Sequence, residues 1–162
     1  MIPSANKALQ RTRRERPGCN RCVPCAGSLS LGRGTTRMAC STYMLSKIDR
    51  GLSSRSERTR WQAASALGEF AASDPERIWP LVVKHGSRRH ADARMAIATF
   101  VLEHILENHF DAFFPRVAAI ARSSRWFHHT FSSCWRLGQA ELPRNARRWR
   151  RLKRYRHGRA AS

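Results

Sequence analysis

The chain predicts an all-α fold, a short α-solenoid of two to three antiparallel helix pairs. Three observations lead there. Apolar residues recur at helical spacing between residues 44 and 137. Capping and stop residues cut that stretch into pieces of helix length. The pieces repeat at an offset of 34–35 residues, the period of stacked helix pairs that each bury a stripe against the next.

The first helix signal is Met44, Leu45, Ile48 and Leu52, closed by Gly51 and Ser53–Ser54. Ser56 is a good N-cap for a helix over Glu57–Ala72, where Trp61, Ala64, Leu67, Phe70 and Ala71 share one face. Asp74 before Pro75 is a strong helix start, because proline at the first helical position lacks only an N–H that has no partner there. Ile78, Trp79, Leu81, Val82 and Val83 follow, and Gly86 with Ser87 ends that helix.

The same plan then recurs. Asp92–Ala93–Arg94 opens a long helix through Met95, Ile97, Ala98, Val101, Leu102, Ile105 and Leu106, with Asn108 as its stop. Asp111 is expected to cap a helix carrying Phe113, Phe114, Val117, Ile120 and Ala121, broken by Ser123–Ser124. A third long segment is expected to run through Trp126, Phe127, Phe131, Cys134, Trp135 and Leu137 to Gly138. Pro143 prevents a simple continuation.

The offset of 34 links Ala64, Ala98 and Ser132, then Leu67, Val101 and Trp135, then Ala63, Ile97 and Phe131. Small residues in the first set let neighbouring helices approach. Trp61, Trp79 and Trp135 fall at apolar-face positions and are expected in the core. Pro80 and Pro115 stand 35 apart, each beside bulky apolar residues.

Charge divides the chain into three. Residues 1–40 hold 8 basic residues and 1 acidic one, residues 41–142 hold 14 and 10, and residues 143–162 hold 9 and none. The middle, 41–142, is the expected repeat domain. Residues 1–40 are an expected loose basic leader, rich in Arg, Ser, Gly, Pro and Thr without a period, and open to being no part of the natural protein. Residues 143–162 are an expected basic helix or tail. No apolar run approaches the roughly 18 residues of a membrane span. Positive charge with no apolar stretch behind it is not a secretory signal, so a cytoplasmic location is expected. The total of +20 attracts polyanions. Arg outnumbers Lys 27 to 4, which a GC-rich coding sequence also produces without any selection for binding.

Cys19, Cys22 and Cys25 form C-x-x-C-x-x-C, a spacing at which thiolates converge on zinc or an iron–sulfur centre. Cys40 is the one nearby fourth ligand. Leu29 stands where a ferredoxin-type run places its fourth cysteine, so free thiols are the simpler expectation. Cys134 reads as a core residue. None of the His residues has a metal-binding spacing such as H-E-x-x-H. His104 and Glu107 lie one helical turn apart and read as a solvated face. No catalytic residue and no cofactor are expected.

The stretches RWQAASALGEFAASDPERIWPLV and ADARMAIATFVLEHI resemble HEAT-type repeats, as does Asp92-x-Arg94 followed by Ala96 and Ala98. The likeness covers about residues 44–142. It implies a non-enzymatic protein–protein scaffold with an unidentified protein partner. The prolines here sit in the second helix of each pair, whereas the first is the more familiar place in that family. A second expectation rests on the tail. Arg147, Arg148, Arg150, Arg151, Lys153, Arg154 and Arg156 can neutralise phosphates, while the interleaved Trp149 and Tyr155 can stack on unpaired bases. Trp149, Leu152 and Tyr155 are also close to helical spacing, which suits a last helix packed on the final repeat. A remote third expectation, from the glycosylases of alkylated DNA that share a HEAT-like fold, finds no position-by-position match.

Overall fold

The computed structural model describes residues 33–157. Every regular element among them is helical, so the all-α fold expected from periodicity holds. In order these are α1 (Arg33–Leu52), α2 (Glu57–Gly68), α3 (Pro75–Gly86), α4 (Ala91–Ile97), a π-helical turn (Ala98–Leu102), α5 (Glu103–Asn108), α6 (Phe110–Ser123), α7 (Arg125–Ser133), a 3-10 turn (Gly138–Glu141) and α8 (Pro143–Lys153). α1 begins at Arg33, so residues 33–40 are helical rather than part of a loose leader. The remainder of that expected leader, 1–32, lies outside the described residues.

Helix starts follow the signals in the sequence. The Ser56 hydroxyl accepts from the Thr59 N–H and caps α2. The Ser124 hydroxyl accepts from the Phe127 N–H and caps α7. Pro75 and Pro143 stand at the first turns of α3 and α8. α6 starts at Phe110 with His109 before it, so Asp111 sits inside its first turn rather than capping it. Pro80 and Pro115 lie inside α3 and α6 on exposed positions. There the carbonyls they leave without a partner can be hydrated.

The starts of α2, α4 and α7 are residues 57, 91 and 125, each 34 apart. α2 packs on α4, α4 on α7, and α6 on α7. Arg60 and Arg94 repeat one another in detail. Arg60 Nη1 donates to the carbonyls of Ser54 and Arg55, and Arg94 Nη1 donates to those of Arg88 and Arg89. Each guanidinium thus holds the loop six and five residues before it, then reaches the helix that begins 34 residues later. Arg60 meets Asp92 at 2.5 Å, while Arg94 lies 4.9 Å from the Trp126 ring centre. Positions 92 and 126 are again 34 apart.

The core runs from Ile48 and Leu52 of α1 through Leu67, Ile78, Ile97, Val101, Leu106, Phe114 and Phe131 to Trp149 and Leu152 of α8. At Gly68, a Cβ would stand 2.3 Å from the Phe100 carbonyl oxygen. Only glycine allows α2 so close to the backbone of the π-helical turn.

His85 is fully buried in this core. Its Nε2 lies 2.7 Å from Asp49 Oδ1, and its Nδ1 has no hydrogen-bond partner. A carboxylate only accepts, so the Nε2 tautomer carries the proton. Burial holds the His85 pKa below the usual histidine value, against the pull of Asp49. Protonation would also bury a second N–H with no acceptor. The unfolded chain therefore takes up this proton first. The contribution of neutral His85 is complete above about pH 6.5 and declines as pH falls below that, until the folded-state pKa is passed. Urea unfolding at stepwise pH should show this slope. His85→Gln, which keeps a donor to Asp49, should reduce it, leaving the part that His129, whose pKa is also lowered by burial, contributes with the same sign.

Candidate functional site: a cationic face on α8

α8 shows why its sequence can be both anchored and exposed. Asn145, Ala146, Trp149 and Leu152 are buried. They recur at helical spacing and lie against α6 and α7. The Trp149 ring is 2% exposed, with its centre 4.5 Å from Phe131 and 6.5 Å from Phe110. The carbonyl of Leu152 accepts from Nε2 of buried His128 at 3.0 Å. Asn145 Nδ2 donates to the carbonyl of Gln139 at 2.9 Å and ties the start of the helix to the preceding turn.

The opposite face carries Arg147, Arg150, Arg151 and Arg154, all exposed and lining one open cleft. They fall at i, i+3, i+4 and i+7, so the helix aligns four guanidinium groups along one side. The remaining residues of the tail divide differently. Arg148 is drawn inward, 2.7 Å from Asp111 and 4.9 Å from the Phe114 ring centre. Trp149 is spent in the core, which corrects its expected place among residues that stack on bases. Lys153, Tyr155 and Arg156 are exposed, and the Tyr155 ring lies 6.2 Å from His128.

The sequence reading missed Trp135. The helix expected to reach Gly138 stops at Ser133, and Trp135 is 75% exposed rather than a core residue. Two buried groups redirect the chain. Cys134 turns to extended backbone, and its Sγ reaches the carbonyls of Ala98 (3.6 Å) and Thr130 (3.4 Å). Burial pushes its thiol pKa well up, so this sulfur stays protonated and unreactive. The Trp135 N–H then donates to Oε2 of Glu103 at 3.1 Å. Burial raises the Glu103 pKa, and this N–H opposes that rise. Gly138, at φ +48°, completes the reversal, and a Cβ there would stand 2.8 Å from the Glu107 side chain. A signal for this break was present. Ser132–Ser133 repeats the Ser123–Ser124 pair that ends α6.

Trp135 borders a second cleft of about 470 Å³, which also takes in Arg136, Arg150 and Lys153. Arg150 lines both clefts, so this one opens onto the arginine face.

Of the expected metal ligands, Cys19, Cys22 and Cys25 lie outside the described residues, and Cys40 falls on α1. Among the described residues, no three His, Cys, Asp or Glu side chains gather as a metal site. His104 Nδ1 and Glu107 Oε2 meet at 2.8 Å on a partly exposed face. No described helix is long and apolar enough to cross a membrane. No family model matches the chain, and neither a curated protein nor a solved structure matches it.

Proposed function

We propose that this chain is a nucleic-acid-binding module, a HEAT-like stack of helix pairs that holds out α8 as its cationic contact. The observation that carries this is the division of α8. Trp149 and Leu152 sit in the core while Arg147, Arg150, Arg151 and Arg154 face solvent with no carboxylate paired to them among the described residues. A solvated tail needs no such anchoring. A helix that sets the spacing of its arginines before binding suits a phosphate backbone, because the main chain that carries them need not be ordered on contact.

A protein–protein scaffold is the second reading, favoured by the repeated Arg60 and Arg94 arrangement. It places binding on the repeats rather than on α8.

Salt dependence separates the two. Each phosphate neutralised on a single strand contributes about −0.7 to the slope of log K against log salt, so four contacts contribute about −3. Replacing Arg147, Arg150, Arg151 and Arg154 together by Gln should flatten the slope of the full chain by about that amount. Anisotropy of a labelled oligonucleotide between 50 and 200 mM salt reads it, and circular dichroism checks that the helices persist. An unchanged slope sinks the α8 reading and returns the repeats to first place.

A further inference from the structure

We propose that Trp135 and the cleft beside it form a stacking site for one unpaired base, so that the preferred ligand is single-stranded nucleic acid. This rests on the nucleic-acid reading above. It comes from a part of the chain outside the expected tail.

Trp135 is the most exposed large apolar residue among the described ones, at 75%. The fold holds it there firmly. Its N–H is bonded to buried Glu103, and Cys134 before it is anchored in the core. A tryptophan left over at a fraying helix end would lack both anchors. No other described ring stacks on it, whereas Trp61, Trp79, Trp126 and Trp149 all have ring partners. An unoccupied indole face carried on an anchored stretch of backbone is what a base needs.

Its surroundings supply the rest of a nucleotide's chemistry. Arg136, Arg150 and Lys153 line the same cleft, and Ser132 contributes a buried hydroxyl with no hydrogen-bond partner. With a base on Trp135, the flanking phosphates fall within a cationic surface that continues through Arg150 onto Arg147, Arg151 and Arg154. A strand can then run along α8 while one base turns into the cleft. Paired bases cannot do this without leaving the duplex stack. The site therefore separates single strands from duplexes without reading sequence.

An exposed tryptophan beside cations also suits an anionic lipid surface. The cleft favours the strand, because it lies between α7 and α8 and continues through Arg150 into the row of arginines along α8, a path for a phosphate backbone.

The full chain, its Trp135→Ala and Trp135→Phe variants, and the fourfold Gln variant should be titrated against a labelled 12-mer single strand and the matching duplex. Vesicles of phosphatidylserine and phosphatidylcholine are the third probe. Trp135→Ala should weaken single-strand binding at least about fivefold and leave duplex affinity and salt slope unchanged. Trp135→Phe should keep most of the affinity, and its tryptophan fluorescence should be quenched less on binding than that of the parent chain. Equal loss on strand and duplex, or no loss on the strand, overturns the stacking site and leaves the α8 reading standing. Loss on vesicles alone overturns it in favour of a lipid surface. If the fourfold Gln variant binds the strand as tightly as the parent, the α8 reading fails instead. Because Trp135 is exposed, its variants should melt within a few degrees of the parent, and thermal unfolding checks this.

Discussion

Trp149→Ala is expected to destabilise the fold by about 3–5 kcal/mol. The ring is 2% exposed and lies between Phe110 and Phe131, so its removal leaves a cavity shared by α6, α7 and α8. The rest of the anchor is small: Ala146, Asn145 and Leu152. A domain of ordinary stability holds about 5–15 kcal/mol in all, so the change takes a large part of it. Urea unfolding followed by circular dichroism measures the loss. Trp149→Phe should recover more than half, since it keeps an aromatic ring between Phe110 and Phe131. A loss below about 1 kcal/mol contradicts the description of α8 as an anchored helix. The arginine face would then lack the rigidity on which the functional reading depends. A second outcome is informative in its own right. If α8 detaches alone, by local unfolding, the loss appears as early fraying of a small part of the helix signal. Salt-dependent binding would then persist while the preference for single strands disappears.

Much of the fold was legible because helix ends carry local chemistry. Ser56, Pro75, Gly86, Asn108, Ser124 and Pro143 all stand at or beside the ends of helices. Those signals act within a few residues, so one sequence suffices to read them. The offset of 34 was also legible, and the starts of α2, α4 and α7 keep it. What escaped depends on contacts far along the chain. Trp135 lies at the offset of Val101, which is fully buried, and periodicity put it in the core. Glu103, 32 residues earlier, takes its N–H and turns the chain outward. For Trp149 the spacing left two readings, a packed last helix and a ring that stacks on bases, and the structure takes the first. Five of the residues from 147 to 151 are Arg or Trp, and charge of that density hides the one ring that Phe110 and Phe131 enclose. Of the candidate site, the arginine face was legible from spacing, while the exposure of Trp135 beside it was not.

The same contrast sets the second large effect, at the junction between α2 and α4. Asp92 accepts from Nε of Arg60 and from Nε1 of Trp61, each at 2.5 Å, and its carboxylate also meets Nη2 of Arg60. The side chain of Arg60 is 7% exposed. Asp92→Ala therefore leaves a nearly buried guanidinium and an indole N–H short of their acceptor. The bonds from Arg60 to the Ser54 and Arg55 carbonyls remain and limit the damage. A loss of about 3 kcal/mol is expected, at the low end for breaking a buried pair. Trp126→Ala, which removes the corresponding contact of Arg94, should cost far less. A cation over an indole at a partly exposed site contributes only about 0.5–1 kcal/mol. The acid side gives an independent check. Burial alone would raise the Asp92 pKa, yet the bonds from Trp61 and Arg60 outweigh it and hold the carboxyl below the usual value. The unfolded chain thus binds this proton more readily than the folded one. The stability contributed by the carboxylate is complete above about pH 4 and is lost as pH falls through the folded-state pKa. The gap between the parent chain and Asp92→Asn should be widest near neutral pH and should narrow below pH 4. A gap that stays constant down to pH 2 would mean that geometry alone, rather than charge, joins the two helices. In that case the closeness of α2 to the π-helical turn at Gly68 becomes the main bond between them.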